Sequence, residues 1–396
     1  MDRRIILFTG KGGSGKTVCA AATALKAVEH GYRTLIISSD AAHSLADVLD
    51  TPLTSEPTEV RENFFAQEVD LYYSMKKNWA DLREVMLLVF RFQGIKRVAA
   101  EELATIPGMG EAATLLWLDM HYNASKDFDL IVIDSAPTGE TLTFLTLPQL
   151  TEWWLTKAFP LQKFFFRTLG STVRNTTGIP IDKAYDELED MFGRLGRINK
   201  ILTDPDISST RIVMNPERMV IQEAKRAYTY LQMYGYGVDT AIMNRMLPDD
   251  GSLGSGWDKY LESQKGYLND VRTSFEPLSV TIIPHFHQEV LGIPLLERVG
   301  TALYGDRNPA DIFHKEQNYR ITPDGSAYVL EIHLPFLESG EMTVEQYGDQ
   351  LVIQIKNQRR NYLLPSFLQF YHKKAATVDQ KWLKVRFEPE EKKRRR

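Results

Sequence analysis

Ile5-Ile6-Leu7-Phe8-Thr9, then Gly10-Lys11-Gly12-Gly13-Ser14-Gly15-Lys16-Thr17, then an alanine-rich stretch: these residues decide the reading of the whole chain. The first five form a short apolar strand, and the alanines that follow the loop read as a helix. The loop between them fits GxxxxGKT, whose backbone N–H groups wrap the phosphates of a nucleotide. Glycine is required where the backbone turns tightly and must approach an anion with no Cβ in between. Lys16 is placed to reach the β- and γ-phosphates and Thr17 to set its hydroxyl on Mg²⁺. A helix starting near Lys16 directs its N-terminus at the same charge. The expectation is a nucleoside triphosphate site built by Gly10, Lys11, Gly12, Gly13, Ser14, Gly15, Lys16 and Thr17. Lys11 is an additional lysine that the motif does not need. Two readings stand for it: a solvated loop residue, or a second phosphate cation. The second would act across a dimer interface as an arginine finger does, neutralising charge in the transition state.

Working outward, the chain has 396 residues, 43% of them hydrophobic, and a formal net charge of -5. That length suits two or three domains. The charge argues against nucleic acid as a partner. Met1 leads directly into the first strand, so no targeting segment is expected, and no apolar run is long enough for integral membrane insertion. Cys19 is the single cysteine. It excludes an intrachain disulfide and a cysteine-rich metal site, and it fits a reducing, cytoplasmic location.

Short apolar runs recur at Leu35–Ser38, Leu130–Asp134, Arg211–Met214, Thr240–Met243 and Val280–Pro284, with helical stretches such as Pro216–Met233 between them. This alternation predicts an α/β P-loop NTPase domain with a mostly parallel sheet, spanning residues 1–314. Helical insertions are expected near 60–125 and 150–205. One carries Trp79, Leu82, Val85, Met86, Val89 and Phe90; the other carries Trp153, Trp154, Phe159 and Phe164–Phe166. Each stripe reads either as packing against its own core or as a groove for an apolar partner. After about residue 315 the pattern changes to alternation, at Tyr328–Leu334, Leu351–Ile355 and Trp382–Phe387. Residues 315–390 therefore predict a C-terminal β-sandwich, and residues 391–396 a basic tail.

Ligands of such sheets collect beyond the carboxyl ends of the strands, and two aspartates fall there. Asp134 ends the run Leu130–Ile133 and predicts a Mg²⁺ ligand, acting directly or through water. Asp40 follows the second strand and predicts the group that positions or activates the attacking water. Either aspartate alone also reads as a helix cap. His43 reads as a phosphate contact, a relay of the switch, or a structural histidine.

Taken together, Gly10–Thr17, Asp40–Asp47 (DAAHSLAD), Asp134–Thr141 (DSAPTGET), Ile106–Ala112 (IPGMGEA), Met243-Asn244-Arg245 and the segment Ile283–Gly292 resemble the arsenite-pump and tail-anchored-protein-targeting ATPases. These belong to the deviant-loop nucleotide-binding superfamily. The resemblance covers residues 1–310. It implies that Lys11 is the signature lysine acting across a head-to-head homodimer, that Asp40 is the catalytic aspartate and that Asp134 is the metal-side carboxylate. It also implies that Asn244 reads adenine. ATP and Mg²⁺ are the implied cofactors. Targeting members carry a CxxC pair that binds a shared zinc, and this chain has none, so no zinc is expected. Arsenite-binding members use several cysteines, which Cys19 cannot replace. Ala41 stands where the family usually has proline. The last region resembles an α-crystallin or small heat-shock domain, through DGSAYVLEIHLPF, GDQLVIQI, Arg359–Pro365 and Trp382–Phe387. The expected function is an ATP-hydrolysing homodimeric chaperone or targeting factor for hydrophobic protein segments, including tail-anchored transmembrane helices. The alternative is an ATP-dependent regulatory or scaffold protein without a membrane-protein client.

Overall fold

The structure is a computed structural model and describes residues 3–39, 44–78, 109–135, 181–315, 319–337, 342–348, 350–365, 367–368 and 371–389. Both apolar stripes expected to be helical, Ile106–Gly108, residues 136–141 and the basic tail lie outside these residues.

β1 (Arg4–Thr9) is buried along its whole length. Its side chains divide by parity, as strand geometry requires. Ile5 and Leu7 enter one apolar core and Ile6 and Phe8 the other. A strand buried on both faces reads as a continuous apolar run, which is why Ile5–Thr9 was legible. The same holds for β2 (Thr34–Ser38) and β5 (Leu130–Asp134), which pair parallel to each other beside β1. The sheet continues through β3 (Thr58–Arg61), β4 (Phe64–Glu68), β6 (Ser208–Met214), β7 (Val238–Met246) and β8 (Ser279–Pro284) in the order β3-β4-β2-β5-β1-β6-β7-β8. Pairing is parallel except at the edge, where β3 runs antiparallel to β4. Here the structure corrects an expectation. The helical region expected from near 60 has strand at its start, and helix begins only at α3 (Leu71–Asn78). Phe64–Glu68 is short and ends in Gln67-Glu68, two polar residues that are nevertheless buried in the sheet.

One face of the sheet carries α1 (Lys16–Glu29), α2 (Ser44–Leu49) and α8 (Ile293–Tyr304). The alanines of α1 allow close approach: a Cβ on Gly300 of α8 would lie 3.0 Å from the Ala22 carbonyl oxygen. The opposite face carries α4 (Met109–Asp119), α5 (Ile181–Leu202), α6 (Arg218–Tyr234) and α7 (Asp258–Phe275). Beneath the sheet, Arg211 and Asp239 form an ion pair with no solvent exposure, Arg211 Nε to Asp239 Oδ1 at 3.2 Å. Arg211 also donates to the Tyr304 hydroxyl at 2.7 Å and to the Pro309 carbonyl at 2.8 Å.

The C-terminal region forms two antiparallel sheets, as a small sandwich does. One contains β9 (Tyr319–Asp324), β10 (Ala327–His333), β14 (Tyr371–Asp379) and β15 (Trp382–Pro389); the other contains β11 (Met342–Tyr347), β12 (Gln350–Ile355) and β13 (Gln358–Leu363). Leu330, Ile332, Leu351, Ile353, Leu383 and Val385 continue the apolar core of the α6 and α7 side. The junction is also polar: the Tyr234 hydroxyl donates to Gln358 Oε1 at 2.8 Å, and Lys381 Nζ to the Glu276 carbonyl at 2.8 Å. Among the described residues no helix is long and apolar enough to cross a membrane.

Candidate active site

The phosphate loop leaves the carboxyl end of β1 and runs into α1. Its glycines meet different demands. A Cβ on Gly10 would stand 2.2 Å from the Val213 carbonyl oxygen in neighbouring β6. A Cβ on Gly15, at φ +92°, would stand 2.2 Å from Asn244 Nδ2. Gly13, at φ +78°, has nothing within 4 Å of such a Cβ, so its requirement is backbone conformation alone. The loop is pulled against β6 and β7 closely enough that side chains at Gly10 and Gly15 would fill the space. The result is a backbone cradle open to an anion.

Lys16 lies at the start of α1 with 8% of its surface exposed, and its Nζ stands 3.5 Å from the Lys11 carbonyl oxygen. The same carbonyl accepts the Ser14 N–H at 3.1 Å. Lys11 itself is half-buried. Thr17 Oγ1 is 3.3 Å from Ser44 Oγ at the start of α2. Asp134 is fully buried at the end of β5, beside Phe8 on β1 and Ser38 on β2. The Ser38 hydroxyl donates to Asp134 Oδ2 at 3.4 Å, and the Ser39 N–H to the Asp134 carbonyl at 3.1 Å. Thr17, Ser44 and Asp134 supply hydroxyl and carboxylate oxygens, the donor chemistry that Mg²⁺ takes beside phosphate. Asp40 and His43 lie outside the described residues. Cys19, one turn into α1, is buried, and burial followed by the charge of Asp134 pushes its thiol up to about 12.

Asn244, near the end of β7, touches the loop. Its Nδ2 donates to the Ser14 carbonyl at 2.8 Å, while its Oδ1 accepts the Arg245 N–H at 2.9 Å. From there a cleft of ≈ 560 Å³ extends away from the loop, bounded by Gly12, Gly15, Thr17, Asn244 and the segment Ile283–Leu291. The cleft is lined both by the loop residues Gly12, Gly13, Gly15, Lys16 and Thr17 and by polar and aromatic residues that include His285, Phe286 and His287.

Several contributors were not singled out from sequence as site residues. Ser44 lies within DAAHSLAD, and Ile283–Gly292 carries no residue with a chemistry legible from the sequence. Glu68 is a further contributor: its Oε1 accepts the Ala46 N–H of α2 at 2.9 Å. No local signal marks Glu68, because Phe64–Glu68 is a strand only through its pairing with β2.

Comparisons with known proteins show which family the chain resembles. The family model described as anion-transporting ATPase matches residues 3–305, and one described as an HSP20-like domain found in ArsA matches residues 325–387. A protein of Prosthecochloris vibrioformis is 37% identical over 393 residues, covering 98% of this chain and 96% of that protein. One of Aquifex aeolicus is 33% identical over 387 residues, covering 95% and 98%. Both carry the provisional name arsenical pump-driving ATPase. A Paramecium tetraurelia protein named ATPase ASNA1 homolog 1 is 29% identical over 303 residues, covering 74% of this chain and 90% of that protein.

Proposed function

The chain belongs to the anion-transporting ATPase family, and we propose that it is an ATP-hydrolysing homodimeric chaperone or targeting factor for hydrophobic protein segments. The observation that carries the reading is the phosphate cradle with its adjoining cleft: Gly10 and Gly15 packed too closely for any side chain, and Lys16 drawn in beside them. In this reading the loop N–H groups and Lys16 hold the triphosphate, and Asn244 reads the base with an amide hydrogen while keeping its hold on Ser14. Mg²⁺, held by Thr17 and by Asp134 directly or through water, would neutralise phosphate charge. Asp40 orients the attacking water. Lys11, half-buried in the loop, reaches the nucleotide of a second subunit and stabilises charge in the transition state.

The client assignment rests on the resemblance of the switch segments to the targeting ATPases, and the architecture supports it. α4 follows directly on Ile106–Gly108 and is tied to α5 by Asp119, which accepts from Arg194 at 2.9 Å and from Arg197 at 3.4 Å. The two helices are thereby held together on the same face of the sheet. ATP would have to favour the closed dimer over the open one for that surface to change with the cycle. Arsenite is not the proposed ligand. Its tight capture needs several thiolates, and the lone Cys19 is buried and held in the thiol form.

The test measures ATPase rate and oligomeric mass with and without a soluble-tagged transmembrane helix, using Lys11→Ala and Asp40→Ala as controls. An ATP-dependent complex with the helix, lost or stalled in the controls, supports client handling. A competent ATPase dimer that ignores the helix in every nucleotide state refutes it and favours a regulatory or scaffold role.

A further inference from the structure

We propose that Glu68 is a positioning residue for ATP hydrolysis: its buried carboxylate fixes the first turn of α2, and α2 fixes the hydroxyl of Ser44 beside Thr17. The inference rests on the ATP-hydrolysing reading of the cleft and adds a residue to it.

The argument begins with strand register. β4 lies parallel to β2, with Glu68 opposite Ser38, so Glu68 ends its strand at the level where β2 turns toward α2. Successive side chains of β4 point to opposite faces. Gln67 reaches the α4 side, where its Oε1 lies 2.9 Å from His121 Nε2. Glu68 reaches the α2 side, where its Oε1 accepts the Ala46 N–H at 2.9 Å. That N–H belongs to the first turn of α2, where backbone donors have no partner within the helix, and a carboxylate is favoured there by charge as well as hydrogen bonding. Glu68 is 6% exposed, so the bond is shielded from competing water.

α2 touches the site at both ends. Ser44 Oγ is 3.3 Å from Thr17 Oγ1, and the Val48 carbonyl accepts the Gly292 N–H at 2.9 Å, just beyond the segment that walls the cleft. Ser44 and Val48 themselves line the cleft. A shift of α2 would therefore move a hydroxyl at the metal side and a wall at the nucleoside side together. The connection between β2 and α2 contains Asp40. Its strand end is secured by the Ser39 N–H on the Asp134 carbonyl at 3.1 Å, and its helix end by Glu68. Misplacement by about 1 Å at a distance from the chemistry can lower a rate on the order of 100-fold.

The test compares Glu68→Ala with Glu68→Gln, which keeps an oxygen acceptor without the charge. In the full-length protein with saturating Mg-ATP, Glu68→Ala should lower kcat by about 10- to 100-fold and leave KM within about threefold, and Glu68→Gln should recover most of the loss. Hydrogen exchange without nucleotide is the second readout: the Ala46 amide should exchange at least about tenfold faster in Glu68→Ala and near the wild-type rate in Glu68→Gln, with β10 and β15 unchanged. A kcat within about twofold of wild type in Glu68→Ala overturns the proposal. Equal loss in both variants overturns the hydrogen-bond explanation on which it stands. Absence of hydrolysis by the wild type refutes the ATPase reading and the catalytic role with it, whereas unchanged Ala46 exchange refutes only the hold of Glu68 on α2.

Discussion

Alanine substitution at three glycines of one loop separates two causes that a motif cannot distinguish. Gly13→Ala introduces only backbone strain, since φ is +78° and the new Cβ meets nothing within 4 Å. A left-handed residue costs about 1–2 kcal/mol, partly offset by the lower entropy of the unfolded alanine chain, so a net loss of about 1 kcal/mol is expected. Gly15→Ala has the same strain at φ +92° and displaces Asn244 Nδ2 from 2.2 Å, which breaks the bond to Ser14. That bond contributes about 0.5–1.5 kcal/mol, bringing the loss to about 1.5–2.5 kcal/mol. Gly10→Ala drives its Cβ against the Val213 carbonyl oxygen, again at 2.2 Å. This neighbour is main chain in a central strand and cannot rotate away. Overpacking of about 1–3 kcal/mol then adds to the strain, for a loss of about 2–4 kcal/mol. Urea unfolding without nucleotide, followed by tryptophan fluorescence, should rank the variants in that order. Mg-ATP at about 100 times its Kd should stabilise the wild type by about 2.7 kcal/mol, and this increment should shrink in Gly15→Ala. Three losses within about 0.5 kcal/mol of one another, or Gly13→Ala as the most damaging, would refute the steric account of the loop.

Other consequences can be checked separately. Asp239→Asn leaves the guanidinium of Arg211 buried without its counter-charge, and urea unfolding should show a loss of about 3–5 kcal/mol. Cys19 should resist iodoacetamide in the native protein and react on unfolding; because its folded pKa is raised from 9.0 to about 12, it should also make stability decline as pH rises across that interval. His121 is held neutral by burial, its pKa lowered from 6.5 to about 4, so its contribution is present above 6.5 and is lost as pH falls toward 4. Replacing His121 with Gln should flatten the acid limb of unfolding measured over that range.

The sequence was sufficient wherever a pattern is local. Strand, loop and helix around Gly10–Thr17, the all-apolar run ending in Asp134 and the alternation of Tyr328–Leu334 each state their structure within about a dozen residues, because burial on both faces, turn chemistry and strand periodicity are read off neighbours. The edge pairing of Thr58–Arg61 with Phe64–Glu68 was not legible, since these short, partly polar segments become strands only when β2 offers β4 a partner and β4 in turn pairs with β3. Asn244 was found through a resemblance, but its place on Ser14 depends on β7 lying beside β6 and β6 beside β1. Glu68 shows the same limit. Nothing in Phe64–Glu68 indicates that a carboxylate there will cap α2, a contact made between residues 22 apart in the chain. Local sequence determined which segments form the phosphate loop and the strands that carry acidic groups. Tertiary structure decided which glycines are sterically irreplaceable, which side chain holds α2, and that the C-terminal sandwich shares its core with one face of the sheet. Those outcomes depend on the distances between elements, which follow from how the whole set of buried faces packs together.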